Sequence, residues 1–261
     1  MSSPLADTLT DRLERYYTRY YRDTLGIPGW REFVAVRLDD RAYEGHRLAR
    51  FERAIGTALS GCRLLDVGCG TGGFSRLAAQ AGANVWSVDE SPEAVALTAA
   101  RTSPDRARVA RAESLPFESA SFDLIYCYST LEHLHDAGRA VAEMVRLLRP
   151  SGRLYLHSPD RRACFEGHYK VLWIPGLSRG LSRAYLAARG RPTAFLDTLR
   201  LLTLAECRAL VERAGGQVIH ALRDDADRPV GGSLWPIVRS YYRLFGINPY
   251  IELVVGRGGR T

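Results

Sequence analysis

The 261-residue sequence predicts an α/β fold in which helices cover both faces of a doubly wound, mainly parallel sheet. Two observations predict it. Short apolar runs of strand length alternate with amphipathic runs of helix length over residues 61–159. The connections between them are short, and several carry a glycine or a helix-capping residue. Ligands of such sheets bind at the carboxyl ends of the strands, so we expect the functional residues there.

The first 60 residues are predicted to form an N-terminal helical lid. Apolar and aromatic residues recur at helical spacing from Asp7 to Tyr21, glycine and proline interrupt the pattern at 26–30, and a second amphipathic helix follows at 41–59. Four tyrosines lie in the first helix. They have two interpretations, ordinary helix packing or a cover over a pocket, and the sequence leaves both open. These tyrosines are Tyr16, Tyr17, Tyr20 and Tyr21.

The central part of the fold is predicted over residues 61–159. Its second helix has the clearest start, because Ser91 is a favoured capping residue and Pro92 suits the first helical position. The predicted strands are 62–68, 83–89, 108–113, 121–129 and 153–159, and the predicted helices are 74–82, 91–103 and one within 137–152 that ends before Pro150.

Residues 160–202 interrupt this alternation, and we predict that they form an inserted helical cap. The alternation resumes over residues 203–261, with a helix at 203–216 and strands at 217–222 and 249–257. The C-terminal part is therefore expected to complete the central sheet.

Most of the net charge of +7 is concentrated near the cap: residues 161–200 contain eight basic and two acidic side chains. One interpretation is a solvated cationic face. The other is a surface that attracts an anionic substrate, a phosphate or a membrane headgroup, which predicts peripheral membrane contact through the cap.

Composition excludes several classes of protein. A hydrophobic content of 46% and a charged content of 25% are ordinary for a soluble globular protein. The five cysteines form no C-x-x-C pair, which argues against a zinc ribbon or a disulfide framework. The first residues lack the apolar segment of a secretory signal, and no apolar run approaches the ~18 residues of a membrane span. A cytoplasmic location is the expectation.

The stretch LLDVGCGTGG at 64–73 predicts a nucleoside site but not which cofactor. Its glycines fit the dinucleotide pattern G-x-G-x-x-G, and together with Asp66 they also fit D-x-G-x-G-x-G. Asp89 ends the next strand, where a carboxylate can hold the ribose of either kind of cofactor. Asp66 favours a ligand with an ammonium group, because a carboxylate is a poor neighbour for a pyrophosphate.

Three further stretches decide between the cofactors. AESLPF at 112–117, SFDLIYCYSTLEHLHD at 121–136 and LLRPSGRLYL at 147–156 occur in order after the glycine-rich stretch. Together they resemble class I S-adenosylmethionine (SAM)-dependent methyltransferases, in the methyltransferase-11 subgroup that includes quinone-biosynthesis enzymes. The resemblance is strong over about 61–158 and weaker over 203–257. It implies a seven-stranded Rossmann-like sheet whose last strand, at 249–257, is antiparallel.

The resemblance also implies where SAM binds. Arg111 departs from the family pattern, since relatives often carry an aspartate there that meets the adenine amino group. The implied contacts are the backbone of Gly68, Cys69 and Gly70 at the methionine part with Asp66 nearby, Asp89 at the ribose, Ala112 and Glu113 at the adenine, and Cys127 through its backbone at the amino group.

Two histidines are the candidate catalytic residues, because an alcohol acceptor needs a base and histidine titrates near neutral pH. His133 follows the fourth strand, and His168 opens the cap at a place where similar sugar and lipid-linked O-methyltransferases often carry an acid and a histidine. The alternative interpretation for each histidine is a structural role, and the sequence leaves both interpretations open. His135 lies two residues after His133, and such residues do not share a helix face, so no metal site is expected.

The acceptor is expected to be a small molecule, a glycan or a lipid-linked compound that is methylated on oxygen. Carbon methylation of a quinone-like metabolite is an alternative. Nucleic acid is not expected, because YCYS stands where base N-methyltransferases carry an Asn/Asp-Pro-Pro-aromatic motif and no nucleic-acid module is present. An NAD-dependent oxidoreductase and a non-catalytic SAM-binding protein are the remaining alternatives.

Overall fold

The computed structural model describes residues 7–222 and 235–258. Residues 1–6 of the predicted lid, and residues 223–234 and 259–261 of the predicted C-terminal part, lie outside this description. The strands within it are β1 (Arg63–Val67), β2 (Asn84–Asp89), β3 (Ala107–Val109), β4 (Phe122–Tyr128), β5 (Leu148–Pro159), β6 (Phe165–Glu166), β7 (Val171–Leu172), β8 (Gly216–Ala221) and β9 (Tyr250–Arg257).

Seven of these strands form one sheet in the order β3-β2-β1-β4-β5-β9-β8. The neighbours from β3 to β5 pair in parallel, whereas β9 is antiparallel to both β5 and β8. The seven-stranded sheet with an antiparallel last strand is thereby confirmed. This order brings the carboxyl ends of β1, β2, β4 and β5 to one edge, where the site lies.

The helices cover both faces of the sheet, which explains why most residues of β1 are buried. The predicted start of the second central helix is confirmed: Ser91 accepts a hydrogen bond from the backbone N–H of Ala94, and Pro92 is the first helical residue. The helices are α1 (Leu9–Thr18), α2 (Trp30–Leu38), α3 (Asp40–Ile55), α4 (Gly73–Gln80), α5 (Pro92–Arg101), α6 (Ala137–Leu147), α7 (Arg179–Ala188), α8 (Leu204–Arg213) and α9 (Trp235–Phe245).

Ion pairs from Asp40, at the start of α3, join the N-terminal helices to the central sheet. Its buried carboxylate accepts hydrogen bonds from Arg76 Nε at 2.6 Å and from the guanidinium of Arg101. Nearby, the hydroxyl groups of Tyr17 and Thr71 form a hydrogen bond between α1 and the glycine-rich loop. The N-terminal helices are therefore fixed directly over that loop.

The N-terminal helices and the cap share a hydrophobic core that is distinct from the core of the sheet. Leu25 and Val34 of the N-terminal helices lie in one cluster with Tyr169, Leu186 and Leu196 of the cap. The two segments therefore enclose the carboxyl edge of the sheet together. Within the described residues, no helix is both long and apolar enough to cross a bilayer.

Two differences from the predicted boundaries have a clear cause, and the cap contains strands that were not predicted. The helix predicted to end before Pro150 ends at Leu147, because the following residues already extend as β5 and Leu148 pairs with Phe122. The strand predicted at 108–113 ends at Val109, because its partner β2 ends opposite it at Asp89. The cap contains a hairpin, β6 paired antiparallel with β7, as well as helix α7.

Candidate functional site

A cleft of about 420 Å³ lies at the carboxyl edge of the sheet, under the N-terminal helices and the hairpin of the cap. It has two parts. The glycine-loop half is lined by residues after β1, β2 and β3, and the cap half by residues of α2, α3, the ends of β4 and β5, and the hairpin. Six of the eight predicted SAM contacts line the first half, namely Asp66, Gly68, Cys69, Gly70, Asp89 and Ala112.

Two glycines of the loop are required for different reasons. Gly68 has φ +76°, and a methyl group there would lie 2.1 Å from Oγ1 of Thr130. Thr130 in turn donates a hydrogen bond to the carbonyl of Val67 at 3.2 Å. Gly70 has φ +53°, and no atom lies within 4 Å of where its Cβ would be. Gly68 thus allows the loop to pack against Thr130, whereas Gly70 leaves open space in the cleft.

Asp66, near the end of β1 and before the glycine-rich loop, is held by buried hydrogen bonds. Its side chain is 2% exposed, and its Oδ2 accepts a hydrogen bond from Ser75 Oγ at 2.6 Å. Ser75 is also hydrogen-bonded to Ser87 of β2, with 2.8 Å between the hydroxyl oxygens. Burial raises the pKa of Asp66 to about 7. The sequence analysis did not identify the two serines, because small polar residues inside buried elements give no distinctive pattern.

Backbone hydrogen bonds hold Asp89 at the end of β2. The N–H of Gly70 donates to its Oδ2 and the N–H of Ser91 donates to its Oδ1, both at 2.9 Å. Burial nevertheless raises the pKa of this carboxyl group. Each carboxylate oxygen keeps a further lone pair, so the oriented group can accept hydrogen bonds from two neighbouring hydroxyl groups, as a ribose presents.

The charges of the glycine-loop half fit SAM better than a dinucleotide. Asp66, Asp89 and Glu90 line the cleft around the glycine loop; Asp89 suits the ribose of either cofactor, so Asp66 is the residue that separates the two. An acidic lining attracts an ammonium or sulfonium group and repels a pyrophosphate. The donor set therefore fits SAM, as predicted from Asp66.

The side chains of two predicted SAM contacts lie away from the cleft. Glu113 Oε1 accepts hydrogen bonds from the backbone N–H groups of His135 at 3.2 Å and Asp136 at 3.3 Å. The side chain of Cys127 is fully buried in the sheet core. Glu113 thus holds the turn after β4, and the contact expected of Cys127 would involve only its backbone.

His168 lies in the turn of the cap hairpin and lines the cleft. Its Nδ1 is 2.8 Å from Oε1 of Glu166, and its Nε2 is 3.9 Å from Oε1 of Glu132. Burial opposes a charged imidazole, but the hydrogen bond and charge of Glu166 and the charge of Glu132 outweigh it and raise the pKa of His168. A carboxylate on Nδ1 with Nε2 on the opposite side is the arrangement of an oriented general base.

His133 also lines the cleft but lies in a different environment. Its ring centroid is 5.2 Å from that of His168 and 5.6 Å from that of Phe195. Burial, reinforced by the neighbouring His168, lowers the pKa of His133 to about 4. His133 is therefore neutral at physiological pH and a weak base, which favours His168 of the two predicted histidines.

Glu132, His133 and His168 together resemble a set of metal ligands. One potential ligand atom from each lies within 4.8 Å of the others, and Glu132 Oε1 is buried without a hydrogen-bond partner among the described residues. His135 is exposed and lies outside this group. The cluster could bind a divalent cation, in which case His168 would be a ligand and not a base.

The sequence analysis missed a cationic group in the cap half. Arg37 of α2, Arg47 of α3 and Lys170 of the hairpin line the cleft with Tyr43. Arg37 and Arg47 lie on helices for which no functional site was predicted, because helical periodicity indicates which residues face the core and not which residues bind a ligand. Lys170 is the only lysine among 36 basic residues, which is the one feature of the sequence that could have drawn attention to it.

Comparison with known proteins agrees with this geometry. A family model described as a methyltransferase domain matches residues 65–156, from β1 to β5. This chain contains a class I methyltransferase domain. SAM is the methyl donor of that class, and the methyltransferase domain includes the glycine loop, Asp89 and His133.

Two curated relatives are O-methyltransferases by name. The methyltransferase domain is similar to the malonyl-[acyl-carrier protein] O-methyltransferase of Pectobacterium atrosepticum, with 35% identity over 41% of this chain and 45% of that protein. It is also similar to a ubiquinone biosynthesis O-methyltransferase of Xylella fastidiosa, with 36% identity over 58% of this chain and 63% of that protein. The chain thus spans about half the length of the curated relatives it matches.

One solved structure resembles nearly the whole chain. The [4+2]-cyclase SpnF superimposes with a TM-score of 0.58 and 19% identity, covering 99% of this chain and 100% of that one. At this identity the likeness shows the fold alone.

Proposed function

We propose that this protein transfers the methyl group of SAM to a hydroxyl group of a small-molecule, glycan or lipid-linked acceptor. One observation carries the proposal: the same cleft is lined by an acidic glycine loop and by His168, whose ring is hydrogen-bonded to the buried Glu166. The first suits the donor, and the second suits an acceptor that must lose a proton. The names of the two curated relatives, both O-methyltransferases, support transfer to oxygen.

In the donor half, the residues of the loop bind and orient SAM. The backbone of Gly68, Cys69 and Gly70 would hold its methionine part, Asp89 would accept hydrogen bonds from the ribose, and Ala112 would adjoin the adenine. When bound, SAM would supply a methyl group on a sulfonium sulfur: the acceptor oxygen bonds to the methyl carbon, the carbon–sulfur bond breaks in line, and the demethylated thioether product leaves. Much of the rate enhancement of such a reaction comes from alignment of the two reactants.

In the cap half, His168 acts as the general base. Its Nε2 takes the proton of the acceptor hydroxyl as the oxygen attacks, while Glu166 holds Nδ1 and stabilises the imidazolium that forms. His133 shapes the pocket beside it as a neutral ring. Correct placement of the acceptor oxygen is thus the task of the cap hairpin.

The tyrosines of the N-terminal helices exclude water from this reaction. All four line the cleft, and Tyr17 is also hydrogen-bonded to Thr71 of the glycine-rich loop. Their rings contact one another and the cap: the ring centroids of Tyr20 and Phe195 are 5.9 Å apart. We therefore assign the tyrosines both roles considered for them, packing between helices and covering the pocket.

Carbon methylation of a quinone-like metabolite and methylation of RNA are the competing functions. A carbon nucleophile needs less help from a base than an alcohol, because its proton leaves only after the new carbon–carbon bond has formed, so a histidine oriented by Glu166 favours oxygen. A cleft of about 420 Å³ suits a small acceptor better than a base within a nucleic acid.

The proposal is tested by incubating the protein with methyl-labelled SAM and a cell extract, then following the label by mass spectrometry. We expect label in a small molecule, bound through oxygen. Label in the organic phase would indicate a lipid-linked acceptor, and with it contact of the basic cap with a membrane surface. Label on carbon or in RNA would contradict O-methylation, and label transfer absent from every fraction would contradict the proposed activity.

A further inference from the structure

Arg37 is a nearly buried guanidinium that forms no hydrogen bond with the described part of the chain. Its side chain is 19% exposed and lines the cap half of the cleft. Its guanidinium carbon lies 4.7 Å from the ring centroid of Tyr17 and 4.0 Å from that of Tyr43. The nearest carboxylate contact is Oε1 of Glu44, at 3.6 Å. Its Nε is buried without a hydrogen-bond partner among the described residues, which is uncommon for a guanidinium in a protein interior.

Arg47 also contacts the Tyr43 ring, with its guanidinium carbon 4.2 Å from the ring centroid. Its Nη2 donates to the hydroxyl of Tyr43 at 2.7 Å, and its Nη1 donates to Oε2 of Glu44 at 3.1 Å. Its side chain is 18% exposed, and its Nε is buried without a partner among the described residues. The two guanidinium groups therefore share the single carboxylate of Glu44.

Lys170 adds a third positive charge from the cap hairpin. It lines the same half of the cleft, and the described residues include no ion-pair partner for its ammonium group. Its φ of +55° is unusual for a residue with a side chain, and such conformations are often found at binding sites. Glu166, the nearest other acid of the hairpin, is hydrogen-bonded to His168.

Arg37 and Arg47 are largely removed from water and share one carboxylate, which leaves one positive charge uncompensated there, and the solvent-exposed Lys170 adds a second at the rim. Positive charges that are removed from water are costly unless an anion or hydrogen-bond acceptors compensate for them. The positive electrostatic potential of these groups is reflected in the pKa of the Tyr43 phenol. Burial alone would raise its pKa, but the charges of Arg37 and Arg47 outweigh burial and lower the pKa of Tyr43 to about 8.

We propose that Arg37 and Arg47, with Lys170 at the rim, form a binding site for an anionic group of the acceptor, a carboxylate or a phosphate. That the anion belongs to a methyl acceptor rests on the proposed function. The anion site itself is inferred from the contacts of Arg37, Arg47 and Lys170 alone. Guanidinium groups suit both anions, since their paired N–H donors match two oxygens at once. The site lies in the same cleft as His168, so one acceptor can present its anionic group to the arginines and its hydroxyl to the base.

The test uses calorimetric titration of the full chain with benzoate, phenyl phosphate and the neutral isostere benzamide. We expect at least one anion to bind about 10- to 100-fold more tightly than benzamide, as a hydrogen bond to a charged group implies. The stronger of the two anions identifies the group as carboxylate or phosphate. Arg37→Met and Arg47→Met should each remove this preference, whereas Arg41→Met, at an exposed position of α3, should retain it.

Two measurements separate the anion site from folding and from the proposed function. The demethylated product of SAM should bind the arginine variants as tightly as the wild type, and Arg37→Lys should keep part of the anion preference if Arg37→Met does not fold. The anion titrations are carried out both with and without the SAM product. If the wild type does not bind the SAM product, the proposed function is contradicted, and the titrations without it still test the anion site. Equal binding of anions and benzamide, no binding of either anion, or an unchanged preference in the arginine variants would overturn the inference.

Discussion

His168→Gln is expected to lower the turnover number by about 10²- to 10⁴-fold, the usual contribution of a general base. Glutamine keeps a polar side chain in the hairpin turn but cannot accept the proton. SAM affinity should change little, because His168 lies in the cap half of the cleft and the SAM contacts lie in the other half. Steady-state kinetics with the acceptor from the labelling experiment, and titration with the SAM product, measure the two effects.

The pH profile distinguishes a base from a structural histidine. Only neutral His168 can take a proton, so the rate should rise with pH through a midpoint above the reference pKa of ~6.5, because Glu166 and Glu132 raise the pKa of His168. Glu166→Gln removes one of these charges and should move the midpoint to lower pH. His135→Gln, at an exposed position outside the cleft, is the matched control and should keep the wild-type rate and profile.

Two results would contradict this role of His168. One is an unchanged turnover number in His168→Gln. The other is a wild-type rate that falls when divalent metal is chelated and recovers when metal is returned, since the cluster of Glu132, His133 and His168 would then act as a metal site.

Gly68→Ala is expected to destabilise the fold by about 3 kcal/mol and to abolish SAM binding. The left-handed backbone costs a residue with a side chain about 1–2 kcal/mol, and overpacking adds about 1–3 kcal/mol. The added methyl group would lie 2.1 Å from Oγ1 of Thr130, so the loop or the turn after β4 has to move. Denaturant unfolding measures the first effect, and calorimetry measures the second.

Gly61→Ala is the matched control for this substitution. Gly61 has the same φ of +76°, but no atom lies within 4 Å of where its Cβ would be. We expect it to lose only the backbone contribution, about 1–2 kcal/mol, and to bind SAM normally. Equal losses of stability in the two variants would show that contact with Thr130 does not explain the need for glycine at position 68.

The sequence predicted the central sheet well because each element there has a local cause. The apolar run before the glycine loop, the capping pair Ser91 and Pro92, and the proline after α6 each indicate an element or its end without reference to the rest of the chain. The end of β3 at Val109 could not be predicted in this way. It depends on where β2 stops, and that is a tertiary contact.

The donor half of the site was predictable for the same reason, whereas the cap half was not. Asp66, Gly68 and Asp89 belong to short motifs with fixed spacing. The anion site joins Arg37, Arg47 and Lys170 from three elements that are distant in sequence, so no local pattern connects them. The hairpin that presents His168 has strands of only two residues, too short for alternation to be detected.

Calorimetric titration with the SAM product and with NAD tests the central claim most directly, because both ligands contain an adenosine that Asp89 can hold. The account predicts saturable binding of the SAM product, weakened by Asp89→Ala, and no measurable binding of NAD, whose pyrophosphate would meet the acidic glycine-loop half. Binding of NAD without binding of the SAM product would contradict the assignment of this cleft to methyl transfer.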